Sequence, residues 1–360
     1  MDFKDLAIRS NVAVLTGGTV GITMALGGFG IWALVGQQLV KDSTALVAIW
    51  GLSRWRPTFA FSWRHLVDLA NFSIWTFVAQ LASFADTHAA PALLGLFLGP
   101  VAVGLYRLAD RLAGTVVSLA TSSIQLVSLS EFCRHQENPE QLRRSALTCI
   151  RVSSAVTFPT LAGLAAVSKP LMLALGPNWI PATGVLQVLS VMAAGAVLIY
   201  FTGPMLQALS QTRRSAVLEW CRTILGITTV VAVAFAVRHS SLTHQLMGIA
   251  SARAGTVTLL VAPTFMYVLM RLCGFSLGDL AKAVAPSLVA SASVVGTVSL
   301  LQVSGVLGGA RPWVSLVVQI VSGALIGAFS VLLLDQSLRD EILSSARALV
   351  GRPAKKMLPS

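Results

Sequence analysis

The sequence predicts an all-α polytopic membrane protein of about ten transmembrane helices. Three observations carry this. Hydrophobic residues fill 55% of the 360 positions and charged residues only 11%, where a soluble domain carries about 25% charge. The charges also fall in clusters, separated by stretches with no Asp, Glu, Lys or Arg. Finally, the Lys and Arg residues divide unevenly between the two sides that a ten-span reading defines.

A span needs roughly 20 apolar residues, because a helix rises ~1.5 Å per residue across a ~30 Å hydrocarbon layer and satisfies its own backbone polar groups. The expected spans are 10–30, 32–53, 67–97, 101–131, 146–168, 182–209, 215–237, 245–270, 283–304 and 312–334. The first is glycine-rich and lacks a small-residue cleavage site, so it reads as a retained span and not a signal peptide. The third and fourth exceed the bilayer's need and imply tilt or protrusion. Pro170–Pro181, with Gly176, Pro177 and Asn178, reads as a turn, and 182–209 as one continuous helix.

Short cytoplasmic loops collect Lys and Arg. With both termini inside, 19 of the 26 basic residues lie on that side, Arg213, Arg214 and Arg222 among them. Lys169, Arg238 and Arg311 lie opposite, and Lys41, Arg107, Arg111 and Arg253 fall within spans. The +12 net charge is therefore a matter of orientation and of anionic lipid neighbours, not of nucleic acid. Cys133, Cys149, Cys221 and Cys273 all map near cytoplasmic span ends, a reducing location, so no disulfide is expected.

Ser53–His65, rich in Trp and Phe around Pro57, reads as an interfacial segment and a lobe boundary. From Asp335 on, Leu338, Ile342, Ala346 and Leu349 recur at helical spacing before a basic end, which reads as an amphipathic surface helix. The divisions expected are thus 1–57, 58–334 and 335–360.

Signatures of catalysis are missing: there is no HExxH, GxSxG, CxxC or phosphate loop. No catalytic residue, metal or cofactor is expected. His239 and His244, close in an outer segment, read as solvated polar residues before they read as a metal site. GxxxG at Gly17/Gly21, Gly95/Gly99 and Gly323/Gly327 implies close helix packing.

Charge within the spans is the strongest pointer, since an ionisable group at bilayer depth is costly and faces a protein interior or an aqueous cavity. Lys41 and Asp42 lie in the second span, Asp86 in the third, Arg107, Asp110 and Arg111 in the fourth and Arg253 in the eighth. Lys41 and Arg253 are candidates to contact an anionic substrate, with Arg107 and Arg111, four apart on one face, guarding the outer part. Asp42, Asp86 and Asp110 are ion-pair or coupling candidates. The competing reading is helix packing through ion pairs such as Asp86 with Arg107 or Arg111; Arg253 has no carboxylate on its own helix. An excess of positive charge suits a phosphate-bearing lipid.

GGFGIWALVGQQLV at Gly27–Val40, SRWRP at Ser53–Pro57, LLGLFLGPVAVGLYRLADRLA at Leu93–Ala113 and LGPNWIPATGVLQVL at Leu175–Leu189 resemble the bacterial polysaccharide repeat-unit flippases of the multidrug/oligosaccharidyl-lipid/polysaccharide exporter superfamily. The resemblance implies two helical lobes around a V-shaped cavity, here a partial first lobe and a complete second one. It implies transfer of an undecaprenyl-diphosphate-linked oligosaccharide across the inner membrane for exopolysaccharide, capsule or lipopolysaccharide synthesis. Polysaccharide polymerase and export machinery would be its partners. Family members usually have 12 to 14 spans, so about four helices are expected to be missing before Met1, with a misplaced or truncated start as the favoured reason. Three rivals stay open: a non-transporting remnant, a polysaccharide polymerase or ligase, and a drug exporter.

Overall fold

The computed structural model describes residues 3–52, 62–304 and 312–334, all of them in helices or the turns between helices. Most of the interfacial segment and the whole basic tail lie outside the described residues. The chain divides into two compact units, Met1–Val67 and Asp68–Ser360.

The smaller unit is a helical hairpin of α1 (Phe3–Leu26) and α2 (Trp32–Leu52). Gly28 and Gly30, at φ +78° and +54°, make the reversal that other residues adopt only under strain. Gly17 and Gly21 let the helices touch: a Cβ at Gly17 would stand 2.8 Å from the Lys41 Cβ and 2.9 Å from the Gln37 carbonyl. Thr16 adds a hydroxyl bond of 3.1 Å to Thr44.

The larger unit opens within α3 (Trp63–Leu98), from position 68 on, and continues into α4 (Pro100–Arg134), joined at Gly99, whose φ of +85° and ψ of 179° belong to glycine. Of the middle GxxxG pair, Gly99 has open space around it and serves the turn, while an added Cβ at Gly95 would stand 3.4 Å from the Val103 side chain of α4. The Gly323/Gly327 pair does pack, against Val294, Val298 and Pro159. A run of hydroxyl residues starting at Thr121, whose side chain bonds the Val117 carbonyl at 2.8 Å, coincides with a 42° bend in α4 between Ser122 and Val127. Next comes α5 (Pro139–Ala166), capped by the Asn138 side chain accepting from the Gln141 amide.

Pro170–Pro181 departs from the expected turn. Ser168–Leu175 forms a further helix, α6, and only then does Gly176, at φ +128°, break the chain ahead of a 3-10 turn at Pro177–Ala182. The expected continuous helix beyond it is also interrupted, into α7 (Thr183–Val197) and α8 (Thr202–Ala208). Pro204 cannot donate to the turn before it and its ring crowds that turn's carbonyl. The backbone therefore passes through tighter bonds, Ile199 to Ala196 and Thr202 to Ile199, both 3.0 Å.

The remaining helices are α9 (Thr212–Ala236), α10 (Leu242–Gly255), α11 (Ala262–Cys273), α12 (Leu277–Val303) and α13 (Pro312–Leu334). A π-helical stretch, Thr256–Val261, links α10 to α11 just before Pro263. A capping box of Ser276 and Asp279 starts α12 six residues earlier than hydropathy alone places it.

Tyr106, Ile150, Leu186, Met205 and Leu246 centre the core, while Leu119, Leu300 and Leu325 are among the apolar side chains left on the outside. Among the described residues, seven helical stretches are long and apolar enough to cross a membrane, eight if bent α4 is one span. The first two expected spans are present as helices but fall outside that set, and in α2 the polar residues Gln37, Lys41 and Asp42 lower the hydropathy.

Candidate functional site

Helices α3 and α9 run parallel, and two aromatic contacts mark the ends of their shared length. Arg213 lies over the Trp75 ring at 5.5 Å, and Phe97 meets Phe235 edge-on at 5.4 Å. About 33 Å of helix separates Trp75 from Phe97, close to the thickness of the hydrocarbon layer, and Asp86 falls halfway. The Thr223 hydroxyl of α9 fixes the register by donating to the Ala82 carbonyl of α3 at 2.9 Å.

At that midpoint four charged side chains from three helices meet. Asp86 Oδ2 lies 3.3 Å from Nη2 of Arg253 on α10 and 3.6 Å from Nη2 of Arg222 on α9. Arg222 also contacts Glu219 Oε2, one turn earlier on α9, at 3.0 Å. Arg253, Asp86 and Arg222 are 13%, 20% and 22% exposed, so the pairs are largely out of solvent. Tyr106 and Asp110 of α4 lie within electrostatic reach of Arg253.

The expected pairing of Asp86 with Arg107 or Arg111 is thus replaced by pairing with Arg253 and Arg222. Arg253 does have a carboxylate, supplied by α3. Arg107, Asp110 and Arg111 are exposed on α4 and form no ion pair within 4 Å among the described residues. Arg222 belongs at mid-helix and not with the loop cations Arg213 and Arg214, where its sequence neighbourhood placed it. The signal that could have found it is Glu219–Arg222 spaced i,i+3 inside an apolar helix.

In the smaller unit, Lys41 is half-buried with its Cβ against Gly17, and Asp42 accepts a 2.9 Å hydrogen bond from Gln38 Nε2 one turn earlier. His239 accepts from Arg238 at 2.9 Å and His244 bonds Ser241 at 2.7 Å, as surface polar groups do.

Two concavities accompany the ion cluster in the larger unit. An apolar groove of about 1090 Å³ runs between α5, α12 and α13, lined by Val156, Pro159, Val294, Val298 and Gly323 with Gln319 as a polar member. A polar pocket of about 480 Å³ lies at the start of α9, lined by Asn71, Trp75, Arg213 and Arg214.

Helices of this length around a buried ionic centre define a polytopic membrane protein of the flippase fold: the structure aligns with the lipid II flippase MurJ, in its inward closed conformation, at a TM-score of 0.64 and 13% identity over 92% of this chain and 68% of that one. The chain belongs to the polysaccharide biosynthesis protein family, which it matches over residues 1–184. It is similar to the succinoglycan biosynthesis transport protein ExoT of Rhizobium meliloti, 26% identical over 98% of this chain and 70% of that one. It is also similar to the teichuronic acid biosynthesis protein TuaB of Bacillus subtilis, 27% identical over 49% of this chain and 38% of TuaB.

Proposed function

We propose that this chain moves an undecaprenyl-diphosphate-linked oligosaccharide from the cytoplasmic to the periplasmic leaflet of the bacterial inner membrane, with both termini cytoplasmic, to supply exopolysaccharide, capsule or lipopolysaccharide synthesis. The observation that carries this is a pair of guanidiniums, Arg222 in the middle of α9 and Arg253 in the last turn of α10, held together among apolar helices. Such charges are expensive in a membrane, about 2.5–3.5 kcal/mol each on insertion scales, and a diphosphate is the anion that a lipid-linked sugar brings to that depth. The printed names of the relatives, a succinoglycan transport protein and a lipid II flippase, point the same way and towards a transporter instead of an enzyme.

In this reading Arg253 contacts the diphosphate and Arg107 and Arg111 guard the outer approach. Lys41 meets the same class of ligand. The apolar groove beside α12 and α13 suits a polyprenyl chain, because it offers a long hydrocarbon-lined surface with few polar groups to desolvate. Anionic lipids accompany the basic loops, and a polysaccharide polymerase with its export machinery takes the product.

The 3.3 Å contact with Asp86 favours a second reading, in which Arg253 only holds α10 against α3. Substituting Arg253→Ala in cells whose surface polysaccharide depends on this chain separates the two. Transport predicts loss of surface polysaccharide and a growing pool of lipid-linked oligosaccharide at unchanged protein level. Continued export, or disappearance of the protein from the membrane, favours the packing role.

A further inference from the structure

We infer that Asp86 is a displaceable counter-ion, holding Arg222 and Arg253 in charge balance until the diphosphate of a lipid-linked ligand takes its place on both guanidiniums. The inference rests on the reading above that this cluster meets a diphosphate.

The geometry of the pairs is the first support. One carboxylate oxygen, Oδ2, serves both arginines, at 3.3 and 3.6 Å. Strong arginine–carboxylate pairs lie near 2.7–2.9 Å and are often bidentate; even the single bond of Arg143 to Asp279 elsewhere in this chain is 2.8 Å. Asp86 neutralises both cations and saturates neither.

Charge is the second support. The four side chains in contact, Asp86, Glu219, Arg222 and Arg253, sum to zero, with Asp110 of α4 near Arg253 but outside the ion pairs. Removing the carboxylate alone would leave uncompensated positive charge, whereas exchanging it for a diphosphate would not. Arg222 keeps its 3.0 Å contact with Glu219 throughout.

Unused hydrogen-bonding capacity is the third. Arg222 Nε is buried with no hydrogen-bond partner, although a guanidinium offers five donors in a fixed fork. Phosphate oxygens can accept several of these at once, which a single Asp86 oxygen cannot. Beside Asp86 the α9 residue is Gly226, and an added Cβ there would stand only 3.3 Å from Oδ1. The carboxylate therefore has no side chain fencing it on that side.

The test measures binding of geranylgeranyl diphosphate to the purified full chain in detergent, for the wild type, Asp86→Asn, Arg222→Gln and the double variant. A competing internal counter-ion lowers apparent affinity by the fraction of time it occupies the site, so Asp86→Asn should bind about five- to tenfold tighter than wild type. Arg222→Gln, which leaves Asp86 wholly to Arg253, should bind more weakly, and adding Asp86→Asn to it should restore affinity. A folded Asp86→Asn protein that binds equally or more weakly overturns the inference. Should that single variant fail to fold, the double variant, with the wild-type net charge, decides: no gain over Arg222→Gln overturns it. Where wild type binds and only the Asp86 effects fail, the diphosphate reading stands alone; where wild type itself does not bind, both fall.

Discussion

Thr223 shows how much one hydroxyl settles here. It donates both to the Ala82 carbonyl on α3 and to the Glu219 carbonyl on its own helix, each at 2.9 Å, and so sets which α9 residues face Asp86. Thr223→Val keeps the shape and removes the donor; we expect a loss of about 1 kcal/mol, read as a lower thermal unfolding midpoint in detergent, with an unchanged midpoint as the contrary result. Arg222 is a sharper case, because its Nη2 alone meets both Asp86 and Glu219 and leaves Nε buried without a partner, a spare donor that lysine lacks. Arg222→Lys should therefore reduce export nearly as far as Arg222→Gln, measured as surface polysaccharide at equal protein level; wild-type export from the lysine variant would show that charge alone suffices. At this scale the sequence displays Asp86 and Arg253 openly, since charges stand out among apolar residues. Their pairing is hidden, because the two are 167 positions apart and only the packing of α3 on α10 brings them together. Arg222 was masked by its proximity to Arg213 and Arg214.

Among the helices, those with uninterrupted hydropathy are legible almost to their ends, α13 most of all. The departures come where local chemistry overrides hydropathy. Ser276–Asp279 caps α12 early, a signal present in the sequence as Ser followed three residues later by an acid. Pro204 splits α7 from α8, and the apolar residues around it conceal the break from any average over a window. In the smaller unit, contact between α1 and α2 depends on Gly17, where an added side chain meets the Gln37 backbone carbonyl and not a movable side-chain end. Gly17→Leu should push the hairpin apart. With cysteines at positions 16 and 44, whose hydroxyls now lie 3.1 Å apart, oxidative cross-linking should be efficient in the parent and largely lost in the leucine variant; equal cross-linking would show that the helices do not need this glycine.

For the molecule as a whole, orientation and transport are the claims with most consequence. The imbalance of basic residues predicts that the segment around Arg213 lies in the cytoplasm and that around His239 in the periplasm. A periplasm-dependent reporter should be silent when fused at the first and active at the second, and the reverse pattern would invert the topology. The all-α membrane fold was readable because the bilayer imposes one spacing on every span; the cluster of Asp86, Glu219, Arg222 and Arg253 was not, because it exists only once three spans have packed. Whether that cluster serves transport is tested most directly by reconstitution. The full chain is placed in proteoliposomes carrying a fluorescent undecaprenyl-diphosphate-linked oligosaccharide, and the fraction protected from a membrane-impermeant quencher is followed over time. The account predicts that wild-type protein brings the protected inner-leaflet pool within reach of the quencher and that Arg253→Ala does not. A protected fraction no different from protein-free vesicles, or equal transfer by the Arg253→Ala protein, would contradict it.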